Sequence, residues 1–554
     1  MSEPNLSHIE KVKHASDSLR GTIQEGLADE ITGAISEDDK ALVKFHGMYL
    51  QDDRDRRDER AEKKLERLYS FMIRLRLPGG LLTAEQWLAT QDIAGAHATG
   101  VIKITTRQTI QLHGLYKSHV KPTIQAFNES KLHSIATCGD INRNVIAAAH
   151  PKQSPIHKEI HDFSFKIDQL LLPKTKAYYE IWLGEEKIAD KKDEEDPLYQ
   201  DRYLPRKFKI AIAIPPNNDV DVFGNDLGLI SIIENNELRG YNISIGGGLS
   251  STHGNPATYP RLGTVIGFVS GEEKILKTIY EIVTIQRDYG NRTDRSLARL
   301  KYTVDKMGID WFRTEIVRRT GFPLEKEKPF QFTDRKDYYG WFQNNDKLWY
   351  YTPFIENGRV TDDEKVALKT ALYEIAETRK LNFRFTANQN VILADILDED
   401  KEAIQKILEK YKIEEYTNAV SSIRRNSMAC VALSTCPLAF AEAQRYLPSL
   451  ISKIEPLLIK NGLQQEDIIL RMTGCPNGCA RSYIAEIGFI GTALGKYNLQ
   501  LGGDHAGMRL NKVYKESLEE PAILQELDLL FGLFAKERKT KESFGDFAVR
   551  KQLV

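Results

Sequence analysis

The sequence predicts an α+β fold that is built twice. Alternating, strand-like runs are interspersed with helical stretches, and segments of the first half return in the second half in the same order. The halves differ in one respect: four of the five cysteines lie in the second, as Cys430-x5-Cys436 and Cys475-x3-Cys479. At 554 residues, 41% hydrophobic and 28% charged, the chain is long enough for several domains with ordinary globular cores.

Residues 1–60 are polar and helix-prone and end in a charge run from Gln51 to Arg60. Its mixed signs predict a solvated helical face, with a docking arm for a partner as the alternative. The stretch Ile102-Lys103-Ile104-Thr105-Thr106-Arg107-Gln108-Thr109-Ile110 alternates like a half-buried strand entering a turn, and Phe383-Arg384-Phe385-Thr386-Ala387-Asn388-Gln389-Asn390-Val391 echoes it. Next, Ile141-Asn142-Arg143-Asn144-Val145 returns as Ile423-Arg424-Arg425-Asn426-Ser427. The run from Gly240 to Gly247 returns from Lys496 to Gly503. Ile210-Ala211-Ile212-Ala213-Ile214 reads as a strand, and 401–411 and 442–460 read as helices. Ordered echoes of this kind predict a pseudo-two-fold axis, and the crevice between two such halves is a natural seat for a large cofactor.

The paired cysteines predict a metal site. Structural zinc favours tight knuckles, whereas an x5 pair matched with an x3 pair suits four thiolates converging on an iron–sulfur cluster. The x3 spacing is expected to put Cys475 and Cys479 on one helix face. The plain alternative is four reduced, buried thiols, and two paired motifs, the second framed by Pro476 and Gly478, argue against it. Cys138 lies outside both motifs and reads as a buried thiol.

Lys+Arg 77 against Asp+Glu 78 gives a net charge of −1, so nothing global favours nucleic acid and any anion specificity is local. Sparse, odd-numbered cysteines do not describe a secreted disulfide framework, and a reducing cytoplasm suits an oxygen-sensitive cluster. The N-terminus, Met1 to His8, shows no basic stretch followed by an apolar one, and no run of about 18 apolar residues occurs. The chain is therefore expected to be neither exported nor membrane-spanning. Gly246 to Ser251 lacks the last glycine and the strand–turn–helix context of a dinucleotide loop, so NADPH is not expected to bind this chain.

Several stretches together resemble the siroheme-dependent sulfite and nitrite reductases. They are Lys44 to Asp55, Arg76-Leu77-Pro78-Gly79-Gly80, Thr106-Arg107-Gln108-Thr109, Asn142-Arg143-Asn144-Val145, Tyr203 to Lys209, both cysteine motifs and Gly545 to Arg550. The likeness runs from about residue 40 to the C-terminus and is nearest to the bacterial assimilatory, NADPH-linked branch. It implies duplicated ferredoxin-like repeats plus two larger mixed α/β domains for siroheme and cluster. The implied chain order is a polar segment at 1–60 with possible flavoprotein docking, a ferredoxin-like half-domain at 61–140 and a siroheme/substrate domain at 141–330. A second half-domain at 331–415 and a cluster-bearing siroheme domain at 416–554 follow.

The resemblance further implies six-electron reduction of sulfite to sulfide, at a siroheme coupled to a [4Fe–4S] cluster, for sulfate assimilation and cysteine biosynthesis. Cys430, Cys436, Cys475 and Cys479 would hold the cluster, with Cys479 bridging to the siroheme iron. Arg76, Arg143, Lys207 and Lys209 match substrate-contacting positions. Arginine forks grip oxyanion edges and lysines supply mobile charge and protons, and strand alternation would put Lys207 and Lys209 on one face. Singly, each of these reads as surface solvation. Arg107, Gln108, Thr109 and His113, with Gly247 and Thr252 in a loop of close backbone approach, are expected around the macrocycle. Lys103 stands where relatives carry arginine and cannot pair a carboxylate bidentately. Electrons would come from NADPH through a separate FAD- and FMN-containing flavoprotein, or from ferredoxin in related enzymes. A siroheme nitrite reductase making ammonia is the nearest alternative, and a non-catalytic zinc or iron–sulfur protein is the alternative of another class.

Overall fold

Four five-stranded sheets, in two matching pairs, carry the fold of this computed structural model, which describes residues 5–150, 154–184 and 195–554. Residues 1–4, where the leader reading begins, lie outside the described residues. The duplication expected from the echoes is present down to register. In one large sheet Leu227–Glu234 pairs antiparallel with Glu237–Ile245, placing Leu229 opposite Ile243 and Ile230 opposite Asn242. In its counterpart Ile487–Ala493 pairs with Lys496–Leu501, placing Phe489 opposite Leu499 and Ile490 opposite Asn498. Both large sheets begin with three parallel strands, Ile146–Ala147, Ile210–Ala213 and Leu227–Glu234 in the first and Ser427–Ala429, Leu470–Thr473 and Ile487–Ala493 in the second. Ile210 to Ala213 is buried on both faces, which is why its Ile/Ala alternation carries no polar side.

The two small sheets are interlocked. The first is built from Met48–Asp52, Tyr69–Arg74, Ile110–Leu115 and Ile102–Ile104, but its last strand is Arg359–Val360 of the second half. The second contains Gly340–Gln343, Trp349–Thr352, Val391–Ile396 and Asn382–Phe385, and its last strand is Leu81–Thr83 of the first half. Each half therefore lends an edge strand to the other. The exchange is sealed by Trp87, buried on the helix Ala84–His97, whose ring stacks on Phe383 at 4.4 Å with planes 6° apart. That helix starts at a reciprocal Thr83/Gln86 capping box immediately after the lent strand.

The charge run departs from a simple solvated helix. Asp52 is buried at the end of a strand and accepts two bonds from Arg57, at 2.5 and 2.7 Å, while only Arg57–Glu62 forms the exposed helix. The preceding helices His8–Ala15 and Glu37–Leu42 pack on the body, and Lys13 is buried with its ammonium on Leu204 O at 2.7 Å. No described helix is long and apolar enough to cross a membrane.

Candidate active site

The turn inside the first of the repeated segments shows how the sequence aims its side chains. Thr105 N donates to Thr109 O at 2.9 Å and Gln108 sits at φ +51. From there the Gln108 amide donates to Ala147 O at 2.7 Å and accepts from Ala147 N at 2.9 Å, extending the edge of the large sheet. Gln389 makes the matching bond to Ala429 O at 3.0 Å. Thr109 is buried with its hydroxyl on Leu75 O. His113 meets Gln51 Oε1 at 3.1 Å, and desolvation drives its pKa down to about 3, so the ring is neutral. These three residues thus brace the turn, and Thr106 and Arg107 are left to reach a cavity of about 40 Å3 between the halves.

That cavity brings Arg107, Lys207 and Lys209 of the first half against Cys479 and Arg481 of the second, with Arg299 alongside. Phe208 is buried and bridged to Asn142, so the lysines on either side of it project together. Among the described residues neither ammonium has a hydrogen-bond or ion-pair partner. Burial, then Arg299 and Arg107, hold Lys209 down at about 7. Lys207 is pushed well below its ordinary value by burial, Arg206 and Lys209. Arg107 is lowered to about 9 by burial and Arg143, and its Nε is buried without a partner.

Arg143 is seated against the lysine strand by its main chain, whose N donates to Phe208 O at 2.9 Å. Its guanidinium donates to Gly139 O at 3.0 Å and Thr137 O at 3.1 Å. Arg74 donates to the same Thr137 O at 3.2 Å and to Cys138 Sγ at 3.1 Å. Arg76 is placed elsewhere: it is buried, paired with Asp168 at 2.8 Å, and donates to Ala136 O at 3.0 Å. Its charge is neutralised there, whereas Arg74, which the sequence reading passed over, is the arginine beside Arg143.

The Gly-rich loop divides in the same way. A Cβ on Gly247 would lie 2.1 Å from Phe223 O, so glycine is required there by chain-on-chain packing. Leu249 and Ser250 line the cavity, but Thr252 and His253 lie on an outer groove, with Thr252 N bonded to Thr258 Oγ1 at 2.7 Å.

The cysteine motifs converge. Burial and the neighbouring Cys479 push the Cys430 and Cys436 thiols up, Cys436 to about 12, although Cys479 is distant in sequence. Gly474 N donates to Cys430 Sγ at 3.3 Å and Asn477 Nδ2 to Cys475 Sγ at 3.5 Å. Thr106 of the first half donates to Cys479 O at 3.1 Å. The expected helix face at Cys475 and Cys479 is not formed. Residues 474–480 are an irregular turn, because Gly478 takes φ +63 and because Gly474 and Gly478 each pass within 2.5 Å of a carbonyl oxygen where a Cβ would stand. Among the described residues no three His, Cys, Asp or Glu side chains are grouped to bind a single metal ion.

Arg299 and Arg481 escaped the sequence reading. Arg299 forms a two-point pair with Asp226, at 3.0 and 2.7 Å, and Arg481 closely follows the second cysteine pair. Asp221 lies against Arg471, Arg481 and Arg335, and although burial pushes its carboxyl up, these arginines bring it down to about 2. Positive charge therefore exceeds negative around the cavity. A polycarboxylate macrocycle and an oxyanion both answer that excess, and thiols whose ionisation burial and each other's proximity oppose answer to a cationic iron–sulfur core, so the residues fit siroheme and [4Fe–4S].

The chain matches the family models for the nitrite and sulphite reductase 4Fe-4S domain, over residues 163–324, and for the nitrite/sulfite reductase ferredoxin-like half domain, over 64–130 and 342–411. The 4Fe-4S match falls on the large sheet of the first half, while the paired cysteines lie in its counterpart. It is 61% identical to the sulfite reductase [NADPH] hemoprotein beta-component of Leptospira biflexa, over 98% of this chain and 97% of that one. The protein of the same name from Staphylococcus saprophyticus is 52% identical, over 99% and 96%. Among solved structures, the Mycobacterium tuberculosis NirA protein superposes with a TM-score of 0.77 at 25% identity, over 99% of this chain and 97% of that one. With two half domains exchanging edge strands and a cationic cavity between the large sheets that Cys479 lines, the chain belongs to the nitrite and sulphite reductase family.

Proposed function

We propose that this chain is the sulfite-reducing haemoprotein component of an NADPH-linked assimilatory sulfite reductase, feeding cysteine biosynthesis. The observation that carries this reading is the meeting of two unpaired ammonium groups, Lys207 and Lys209, with Cys479 in one cavity. The relatives at 61% and 52% identity, both named for sulfite and NADPH, support sulfite over nitrite.

Cys430, Cys436, Cys475 and Cys479 would hold the [4Fe–4S] cluster, and Arg107, Lys207, Lys209, Arg299 and Arg481 would hold siroheme. When bound, the two groups would pass on, in successive steps, the six donor-derived electrons that take sulfite to sulfide. The protein's own part is to hold an oxyanion and deliver protons. Arg74 and Arg143 present a positive wall, and Lys207 and Lys209 present ammonium groups that return protons as the oxygens leave as water. Lys209, held near pH 7, donates and recovers a proton at physiological pH.

Electrons reach the chain from a flavoprotein carrying FAD and FMN, which oxidises NADPH, and the segment 1–60, at whose end the exposed helix Arg57–Glu62 begins, is its docking surface. The enzyme works in the cytoplasm. The division at 1–60, 61–140, 141–330, 331–415 and 416–554 is the organisation that goes with this chemistry.

The test is turnover of purified, siroheme-matured protein with a reduced viologen dye and either sulfite or nitrite, quantifying sulfide and ammonia. Sulfide formation with the higher kcat/KM for sulfite is expected. Preference for nitrite moves the activity to the sister reaction, and no turnover from fully loaded protein overturns the reading.

A further inference from the structure

Between the strand Ser427–Ala429 and the helix Leu447–Lys460 the chain carries Cys430 and Cys436 through a long stretch that forms no helix or strand of its own. Such a stretch needs outside partners for its carbonyl groups. Part of it is tied down from within its own half, where Phe440 N and Ala441 N donate to Gly474 O at 2.8 and 3.1 Å and Gln444 N donates to Cys430 O at 3.1 Å. Within the loop Cys436 O accepts from Ala439 N at 3.2 Å, and the carbonyls around Cys436 are further served from the far end of the chain, by Arg54. Its main-chain N donates to Ser434 O at 3.2 Å, and its Nη1 donates to Cys436 O at 3.1 Å and to Ala439 O at 2.7 Å.

Arg54 is itself held in place. Asp53 caps the short 3-10 turn Arg54–Arg56 by accepting from Asp55 N at 3.1 Å, and Asp55 pairs with Arg445 of the cysteine-bearing stretch at 2.6 Å. The charge run that the sequence offered as a solvated face or a docking arm thus contains an intramolecular grip on the cluster loop.

We propose that Arg54 is a positioning residue of the iron–sulfur centre. It fixes the loop that presents the Cys436 thiolate, and its guanidinium places a positive charge beside that ligand, which favours the reduced, more negative cluster. The inference rests on the assignment of Cys436 to the cluster. Lysine at this position keeps the charge but lacks the rigid fork that bridges two carbonyls.

The test uses the full-length, siroheme- and cluster-loaded protein with Arg54→Ala, Arg54→Lys and Cys436→Ala variants. Iron loss to a chelator is followed by the decay of visible absorption, and the cluster potential is read by redox titration with electron paramagnetic resonance. Arg54→Ala is expected to lose iron about tenfold faster, the effect of one charge-assisted hydrogen bond, and to titrate at a more negative potential than the parent. Arg54→Lys is expected to recover the potential but not the retention. Unchanged retention and potential in Arg54→Ala overturn the proposal, as does an Arg54→Lys protein that matches the parent in retention. Should Arg54→Ala fail to fold, the lysine variant still decides. A Cys436→Ala protein that keeps a full cluster defeats the underlying ligand assignment instead, an outcome separate from either Arg54 result.

Discussion

Asp221 and Arg481 occupy equivalent positions in the two repeats and are ion-paired to each other, Nε to Oδ2, at 3.0 Å. Each precedes a short 3-10 turn, Val222–Gly224 or Ser482–Ile484, and each holds a left-handed backbone, at φ +46 and +59. Equivalent positions thus carry an acid in the first half and a base in the second, and the pair ties the cavity wall that carries Cys479 to the half that carries the lysines.

Replacing Asp221 with Asn should be severe. Arg471 and Arg335 are fully buried against this carboxylate, and stranding buried guanidinium groups costs about 3–5 kcal/mol. A clearly lower urea midpoint is expected, and a midpoint equal to the parent's would show that the arginines find other partners.

Lys209 ties stability to pH. Its folded value near 7 lies below the unfolded 10.5, so between those limits the unfolded chain holds a proton that the folded chain lacks. Stability of the siroheme-free protein should therefore rise with pH through that window, and Lys209→Met should reduce the slope. Equal slopes for parent and variant would remove Lys209 from the account. In the loaded enzyme the same variant should cut kcat for sulfite about 100-fold or more, as loss of a general acid does.

Cys479→Ser should retain the fold but lose the electronic coupling of siroheme to cluster and with it sulfite turnover. The check is iron and siroheme content together with the visible spectrum. Normal cofactors with full turnover would exclude Cys479 as the shared ligand.

Trp87→Ala should cost about 3–5 kcal/mol, because a large ring stacked between the halves leaves a cavity on the exchanged strands. Limited proteolysis should cut the variant faster between the halves, and parent-like resistance would show that the stack is dispensable.

Much of this was legible in the sequence, for reasons that particular residues make plain. The echo from Gly240 to Gly247 in Lys496 to Gly503 survives because both runs keep the same register opposite their partners, so hydrophobic positions stayed fixed. The lent strands Leu81–Thr83 and Arg359–Val360 left no such trace, being too short to show a period. Cysteine spacing pointed to a shared centre, yet the helix it suggested gave way to a turn at Gly478, since spacing does not encode a positive φ. Arg74 and Arg76 alternate onto one side of an extended chain, and only Asp168, 92 residues from Arg76, decides which is neutralised. Arg299 owes its place to Asp226, 73 residues away, a pairing no local pattern announces.

The reciprocal edge strands also impose a timetable on biosynthesis. The sheet that begins at Met48 stays open at Ile102–Ile104 until residue 360 has left the ribosome, and an open edge is a template for wrong pairing. The wall that carries Cys479 emerges later still. Siroheme and cluster therefore have no finished seat on a nascent first half, and their insertion is an event of the nearly complete chain. A product truncated between the halves is accordingly an aggregation hazard with one unsatisfied edge, not a smaller working reductase.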